Sequence, residues 1–149
     1  MPKESLIAIF SGRLEKGKGL ETLIEAWKKI SDTKLLILGE GRLRGYLTEE
    51  IKSSQLEDRV TLIGWKENIK DYLQASDFFI LPSLGEGLSN ALLEAMACGL
   101  VVITTKIGGS EEAIRAFLYY LYHDLLFTSL DLQDMAIKES GSQSQPFSR

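Results

Sequence analysis

Five short apolar runs, separated by stretches of helical character, constrain this 149-residue chain more than any other feature. The runs are Ser5–Ser11, Lys34–Leu38, Arg59–Ile63, Asp77–Leu81 and Leu100–Thr104, and the first four are closed by Gly12, Gly39, Gly64 and Pro82. Between them, Gly19–Ile30 sets Leu20, Leu23, Ile24, Trp27 and Ile30 on one helical face. Leu43–Ser54 reads as a polar-rich helix, Asn68–Ala75 as a short helix with Asn68 as N-cap, and Ser89–Cys98 as an apolar helix ended by Gly99. Strands that are apolar almost throughout expect cover on both faces. The alternation therefore predicts an α/β fold with a doubly wound, Rossmann-like parallel sheet. Ligands of that architecture bind at the carboxyl ends of the strands. Chemistry is expected just after Ser11, Leu38, Ile63, Leu81 and Thr104.

Composition removes several classes of function. A formal net charge of −4 argues against a nucleic-acid platform. No apolar stretch approaches the about 18–20 residues of a membrane span, and the apolar run near Met1 is too short for a signal peptide. Cys98 and His123 are the sole residues of their types, so an internal disulfide, a Cys-cluster zinc site and a His-rich metal site are all excluded. A cytoplasmic location is expected.

The loop after the first strand, Gly12 to Gly19, nearly fits the phosphate-binding pattern G-x4-G-K-[ST]. Its last position is Gly19, so the hydroxyl that holds magnesium is missing, and no strand ends in an Asp that would serve as second ligand. What remains is a pair of cations, Arg13 and Lys18, at the sheet edge where ligands bind. They suit a diphosphate; a solvated basic loop is the alternative. The segment from Gly39 through Gly41 to Gly45 departs from G-x-G-x-x-G by one residue, a weak dinucleotide signal.

The stretch from Leu81 to Gly99 is richer. Glu86 lies between Gly85 and Gly87, and Glu94 is the one charged residue between Ala91 and Cys98. On its own, Glu86 reads as an exposed loop acid. Glu94, on an apolar helix, is expected to be partly buried and to need a donor, from the protein or from ligand hydroxyls. Together, E-x7-E brackets a strand–loop–helix junction opposite a basic loop. Cations for phosphates and two carboxylates for hydroxyls describe a nucleotide-sugar site.

These residues carry a resemblance. From about Leu6 to Ile114 the chain resembles the C-terminal half of the GT-B retaining glycosyltransferases of the group one class, glycosyltransferase family four. The matching residues are Gly12-Arg13-Leu14 with Lys18-Gly19, Leu38 to Gly41, Val60 to Trp65, Pro82-Ser83, Glu86 to Gly99, and Gly108 to Glu112. The resemblance implies a donor site. Arg13 and Lys18 would contact the diphosphate, and Glu94 the ribose. Glu86, with Gly87 and the backbone of Leu88, Ser89 and Asn90, would contact the transferred sugar and distal phosphate. Backbone at Gly12, Gly39–Gly41 and Ile63-Gly64-Trp65 would frame the rest, including the base. Arg13, Lys18 and Glu86 are thus the candidate catalytic residues. Reaction would retain configuration without a metal or other cofactor, a UDP- or GDP-sugar being the substrate; the chain holds no Asp-x-Asp.

Three departures follow. Gly99-Leu100-Val101 replaces the family's usual Gly-Leu-Pro; Arg115–His123 is aromatic where a short turn is usual; and the acceptor-binding domain that such enzymes carry on the N-terminal side is expected as a separate domain or subunit. Asp124–Thr128 is read as a strand and Asp131–Glu139 as a helix, giving one nucleotide-sugar-binding domain over 1–139 and a polar, disordered tail over 140–149. A non-catalytic nucleotide-sugar-binding module, or a degenerate fragment of such an enzyme, is the rival reading.

Overall fold

The computed structural model describes residues 5–116. Strands β1 (Leu6–Ser11), β2 (Thr33–Leu38), β3 (Val60–Gly64), β4 (Phe78–Leu81) and β5 (Val101–Thr104) alternate with helices α1 (Leu20–Trp27), α2 (Arg44–Ser53), α3 (Ile69–Gln74) and α4 (Asn90–Ala97). The strands form one parallel sheet in the order β3-β2-β1-β4-β5. The expected α/β, Rossmann-like fold is the one found. Successive strands step outward from β1 to β3, then the chain returns to the other side of β1 for β4 and β5. Crossovers between parallel strands take the right hand almost without exception, and because they run in both directions from β1 this rule puts helices on both faces. After β5, residues 108–116 are helical, and 116 is the last residue described. The aromatic residues from Phe117 on, the strand and helix expected over 124–139 and the tail lie outside the described residues.

The core follows from the runs. Ile9, Phe10, Leu35, Ile37, Phe79 and Leu81 are buried in the three central strands. Leu20, Leu23, Ile24 and Trp27 form the buried face of α1, and the Trp27 indole N–H donates to the Thr33 carbonyl at 3.0 Å. Lys28, just after α1, donates to Glu25 at 2.5 Å and to Glu50 of α2 at 2.7 Å, which joins the two helices; the Glu25 bond, then the Glu50 bond, holds its pKa above the ordinary lysine range. Asn68 stands at the N-cap of α3 but its side chain caps nothing, bonding instead to Asp71 at 2.9 Å. Strand β5 departs from the expected two-sided cover: Val101 is 66% and Ile103 53% exposed. It is an edge strand among the described residues, so the apolar run records a β propensity that packing does not fully use.

Strand β1 is the switch point: the chain steps from it to β2 and β3 on one side and returns to its other side for β4 and β5, the place in such a sheet where ligands are bound.

Candidate functional site

The loops at the carboxyl ends of the strands are laced by backbone hydrogen bonds. Gly12 donates to the Leu38 carbonyl at 3.0 Å, Leu14 to Glu40 at 2.9 Å, Leu43 to Leu14 at 2.8 Å and Gly39 to Gly64 at 2.9 Å. Across the switch point, Leu84 donates to the Gly17 carbonyl at 2.8 Å. Two glycines are required by this lacing. Gly39 has φ 135°, and a Cβ there would sit 1.9 Å from the Gly12 carbonyl oxygen; Gly19 has φ 71°, and a Cβ there would sit 1.9 Å from that of Pro82. Leu14 is wholly buried beneath its loop. The backbone of the loop is therefore anchored, while the Arg13 side chain stays in solvent.

A cleft of about 500 Å³ lies over the ends of β1, β2 and β3, lined by Ser11, Gly12, Arg13, Leu38, Gly39, Glu40, Trp65, Lys66, Ile69 and Glu94. It gathers Gly12, Arg13, Gly39, Trp65 and Glu94 from the expected set. Arg13 is largely exposed and lies 3.4 Å from Glu15. Trp65 is 69% exposed, an aromatic face turned to the cleft region. Glu94 is exposed, contrary to the expected partial burial. Helix α4 turns Leu92, Ala95 and Met96 inward and leaves Glu94 at the cleft wall.

Glu86 departs in the opposite sense. Its side chain is 16% exposed and forms an ion pair with Lys18, itself 18% exposed. The pair spans the switch point, Lys18 following β1 and Glu86 following β4. The pairing occupies Glu86 Oε1; Oε2 is buried without a partner, as is the Ser83 hydroxyl on the same loop. Buried polar atoms are ordinarily paired, and an orphaned carboxylate oxygen is a place for a ligand hydroxyl.

The remaining expected residues do not line the cleft. Gly41 packs its backbone against Leu14, and Gly64 lies beneath the Glu40 carboxylate, which Arg44 holds at 3.0 Å. Ile63 is the half-buried residue before Gly64. Gly87, Leu88 and Asn90 are exposed around the start of α4. Ser89 is buried as its N-cap, accepting from the Leu92 amide at 3.4 Å. The first amides of a helix have no intrahelical partner and favour an anion. Among the described residues no group of three or more His, Cys, Asp or Glu has a metal-holding arrangement, and no helix is long and apolar enough to cross a membrane.

Lys66 and Ile69 were not singled out by sequence. Both follow Trp65 at the end of β3, so the rule that ligands meet strand ends, applied one turn further, would have found them. Ser83 belongs to the Pro82-Ser83 match that carries the resemblance, but it was assigned no role.

The family described as glycosyl transferases group 1 matches residues 5–138. Over 103 residues the chain is 43% identical to the N-acetylgalactosamine-N,N'-diacetylbacillosaminyl-diphospho-undecaprenol 4-alpha-N-acetylgalactosaminyltransferase of Campylobacter jejuni, covering 67% of this chain and 28% of that protein. It is 36% identical over 112 residues to the N-acetyl-alpha-D-glucosaminyl L-malate synthase of Bacillus anthracis, covering 73% and 29%. Among solved structures, Anabaena HepE in complex with UDP and glucose superposes with a TM-score of 0.67 at 27% identity, covering 73% of this chain and 32% of that one. The chain thus spans less than a third of the length of these proteins.

Proposed function

Because the chain belongs to the group 1 glycosyl transferases, we propose that it binds a nucleotide-diphospho-sugar as the donor half of a retaining, metal-independent, cytoplasmic glycosyltransferase. Transfer in this reading requires an N-terminal acceptor-binding domain or subunit. The observation that carries the proposal is the meeting of Lys18 and Glu86 across the switch point, with one Glu86 oxygen buried and unpaired; Arg13, on the same loop as Lys18, and Glu94, on the helix after Glu86, line the cleft.

The roles follow from the chemistry of each group. Lys18 and Arg13 hold the diphosphate, and the free amides at the start of α4 add positive potential. As the bond between the anomeric carbon and the distal phosphate oxygen breaks, the electron pair passes to that oxygen. These same groups, fixed beforehand by the laced loops, stabilise the charge that develops there. Glu94 accepts from the ribose hydroxyls. Glu86 Oε2 accepts from a hydroxyl of the transferred sugar. The base is assigned to Trp65 and Ile69, whose aromatic and aliphatic side chains line the cleft. A UDP-linked donor suits the first trials, because HepE and the pneumococcal O-GlcNAc transferase GtfA were both crystallised with UDP.

Isothermal calorimetry with UDP and a UDP-sugar tests the reading. Binding with one site per chain and the same Kd with and without a chelator is expected. Strict magnesium dependence would sink the metal-independent arrangement.

Glu94→Gln tests the ribose contact. Removing both ribose hydroxyls from the nucleotide is expected to cost the parent chain about 10-fold or more in affinity, the worth of a hydrogen bond to a charged group. The same change should cost the variant less. A 2′,3′-dideoxy nucleotide that loses equal affinity in both backgrounds would place Glu94 elsewhere. Since Glu94 is exposed, folding of the variant should be unaffected.

A further inference from the structure

We infer that Glu86 sets the site's preference for a sugar-bearing donor over the bare nucleoside diphosphate, so that the residue helps to expel the product. The inference rests on the donor-site reading and extends it to a discrimination between two ligands of the same site.

Three observations carry it. Lys18 and Glu86 are each less than one-fifth exposed, and they neutralise one another as an ion pair. Glu86 Oε2 is shielded from solvent and has no hydrogen-bond partner. The pair joins the β1 loop to the β4 loop, which the Leu84–Gly17 hydrogen bond holds together at 2.8 Å. A phosphate recruited by Lys18 is therefore brought beside the Glu86 carboxylate.

A carboxylate oxygen only accepts hydrogen bonds. A sugar hydroxyl donates one to Oε2 and satisfies it. The distal phosphate of a nucleotide sugar is a diester carrying one negative charge. The terminal phosphate of a nucleoside diphosphate offers no donor at neutral pH and carries up to one further charge, its second ionisation lying near pH 6. In the donor complex Glu86 thus gains a hydrogen bond. In the product complex it faces additional negative charge with little water between them. Transfer converts the first situation into the second, and Lys18 then has an alternative partner in Glu86 at the moment the product must leave.

The test compares the parent chain with Glu86→Gln by isothermal calorimetry at pH 7.5 and fixed salt. The ligands are UDP and the better bound of UDP-glucose and UDP-N-acetylglucosamine. The glutamine keeps the shape of the side chain and removes the charge. UDP is expected to bind the variant about fivefold more tightly, as relief of a charge contact permits. The UDP-sugar is expected to bind it about tenfold more weakly, the worth of a charge-assisted hydrogen bond. Glu86→Ala, which removes the group altogether, should shift the two affinities in the same opposed directions, and the thermal midpoint of each variant checks folding. Equal shifts of both ligands in one direction would overturn the inference while leaving the donor site intact. So would a parent that binds UDP but neither UDP-sugar. A parent that binds none of the three overturns the donor-site reading and this inference together.

Discussion

No multiple-turnover sugar transfer is expected from the 149-residue chain on its own, even at concentrations that saturate it with donor. Glycosyl transfer needs donor and acceptor held in near-attack geometry, and effective molarities of order 10⁵–10⁸ M come from such positioning. The described residues supply groups for one ligand. Arg13 and Glu94 line the cleft, Lys18 and Glu86 pair across the switch point, and the proposed reading assigns each of the four to the donor. The cleft is open, so water reaches the anomeric carbon, and slow donor hydrolysis is the most the chain should show. Purified chain assayed with labelled UDP-sugars and an acceptor panel decides the point. Robust transfer would refute the half-enzyme reading. Transfer that appears only when a separate acceptor-binding domain is added would support it.

Lys18→Ala carries the other large effect. A hydrogen bond to a charged group is worth about 1.5–3 kcal/mol, or roughly a 10- to 150-fold loss of UDP affinity. Uridine affinity should scarcely change. Arg13→Ala is expected to lose less than Lys18→Ala, because the Arg13 side chain is 74% exposed and solvent screens it. The lysine change has a second consequence. It leaves the Glu86 carboxylate part-buried with neither oxygen paired, so the variant should also unfold at a lower temperature. Calorimetry with UDP and uridine, alongside a thermal melt, separates the two effects. Equal losses for nucleoside and diphosphate would place Lys18 away from the phosphates.

The fold was legible in the sequence because its signals are local. Glycine and proline punctuate the runs, and the face of α1 is written in the spacing of Leu20, Leu23, Ile24 and Trp27. Element ends differ from expectation by three residues at most, where helices tighten into turns. What was not legible depends on strand order. Spacing treats Glu86 as an exposed loop acid and Glu94 as partly buried, whereas the structure reverses them. Glu86 is enclosed because β4 pairs with β1, which brings Lys18 over it. Glu94 is open because α4 has only one apolar face to bury, and Glu94 lies off it. Neither result follows from residues near in sequence. Lys66 was missed for a different reason: the strand-end rule was stopped at Trp65, one residue short of it.

The adjacency of β1 and β4 also bears on how the molecule opens. The Ile7 amide donates to the Asp77 carboxylate at 2.7 Å, 70 positions along the chain, and Lys18 meets Glu86 at a separation of 68. A fragment ending before β4 has one wall of the site and cannot hold an anion between two. Contacts so distant along the chain make assembly slow, because loop closure precedes any reward. A ligand that bridges the walls then acts on the whole sheet at once. At one hundred times its Kd it raises the free energy of any opening that dissolves the site by about 2.7 kcal/mol. Amide hydrogens of β1 and of β4 should gain the same protection from exchange, although the two strands lie in different halves of the chain.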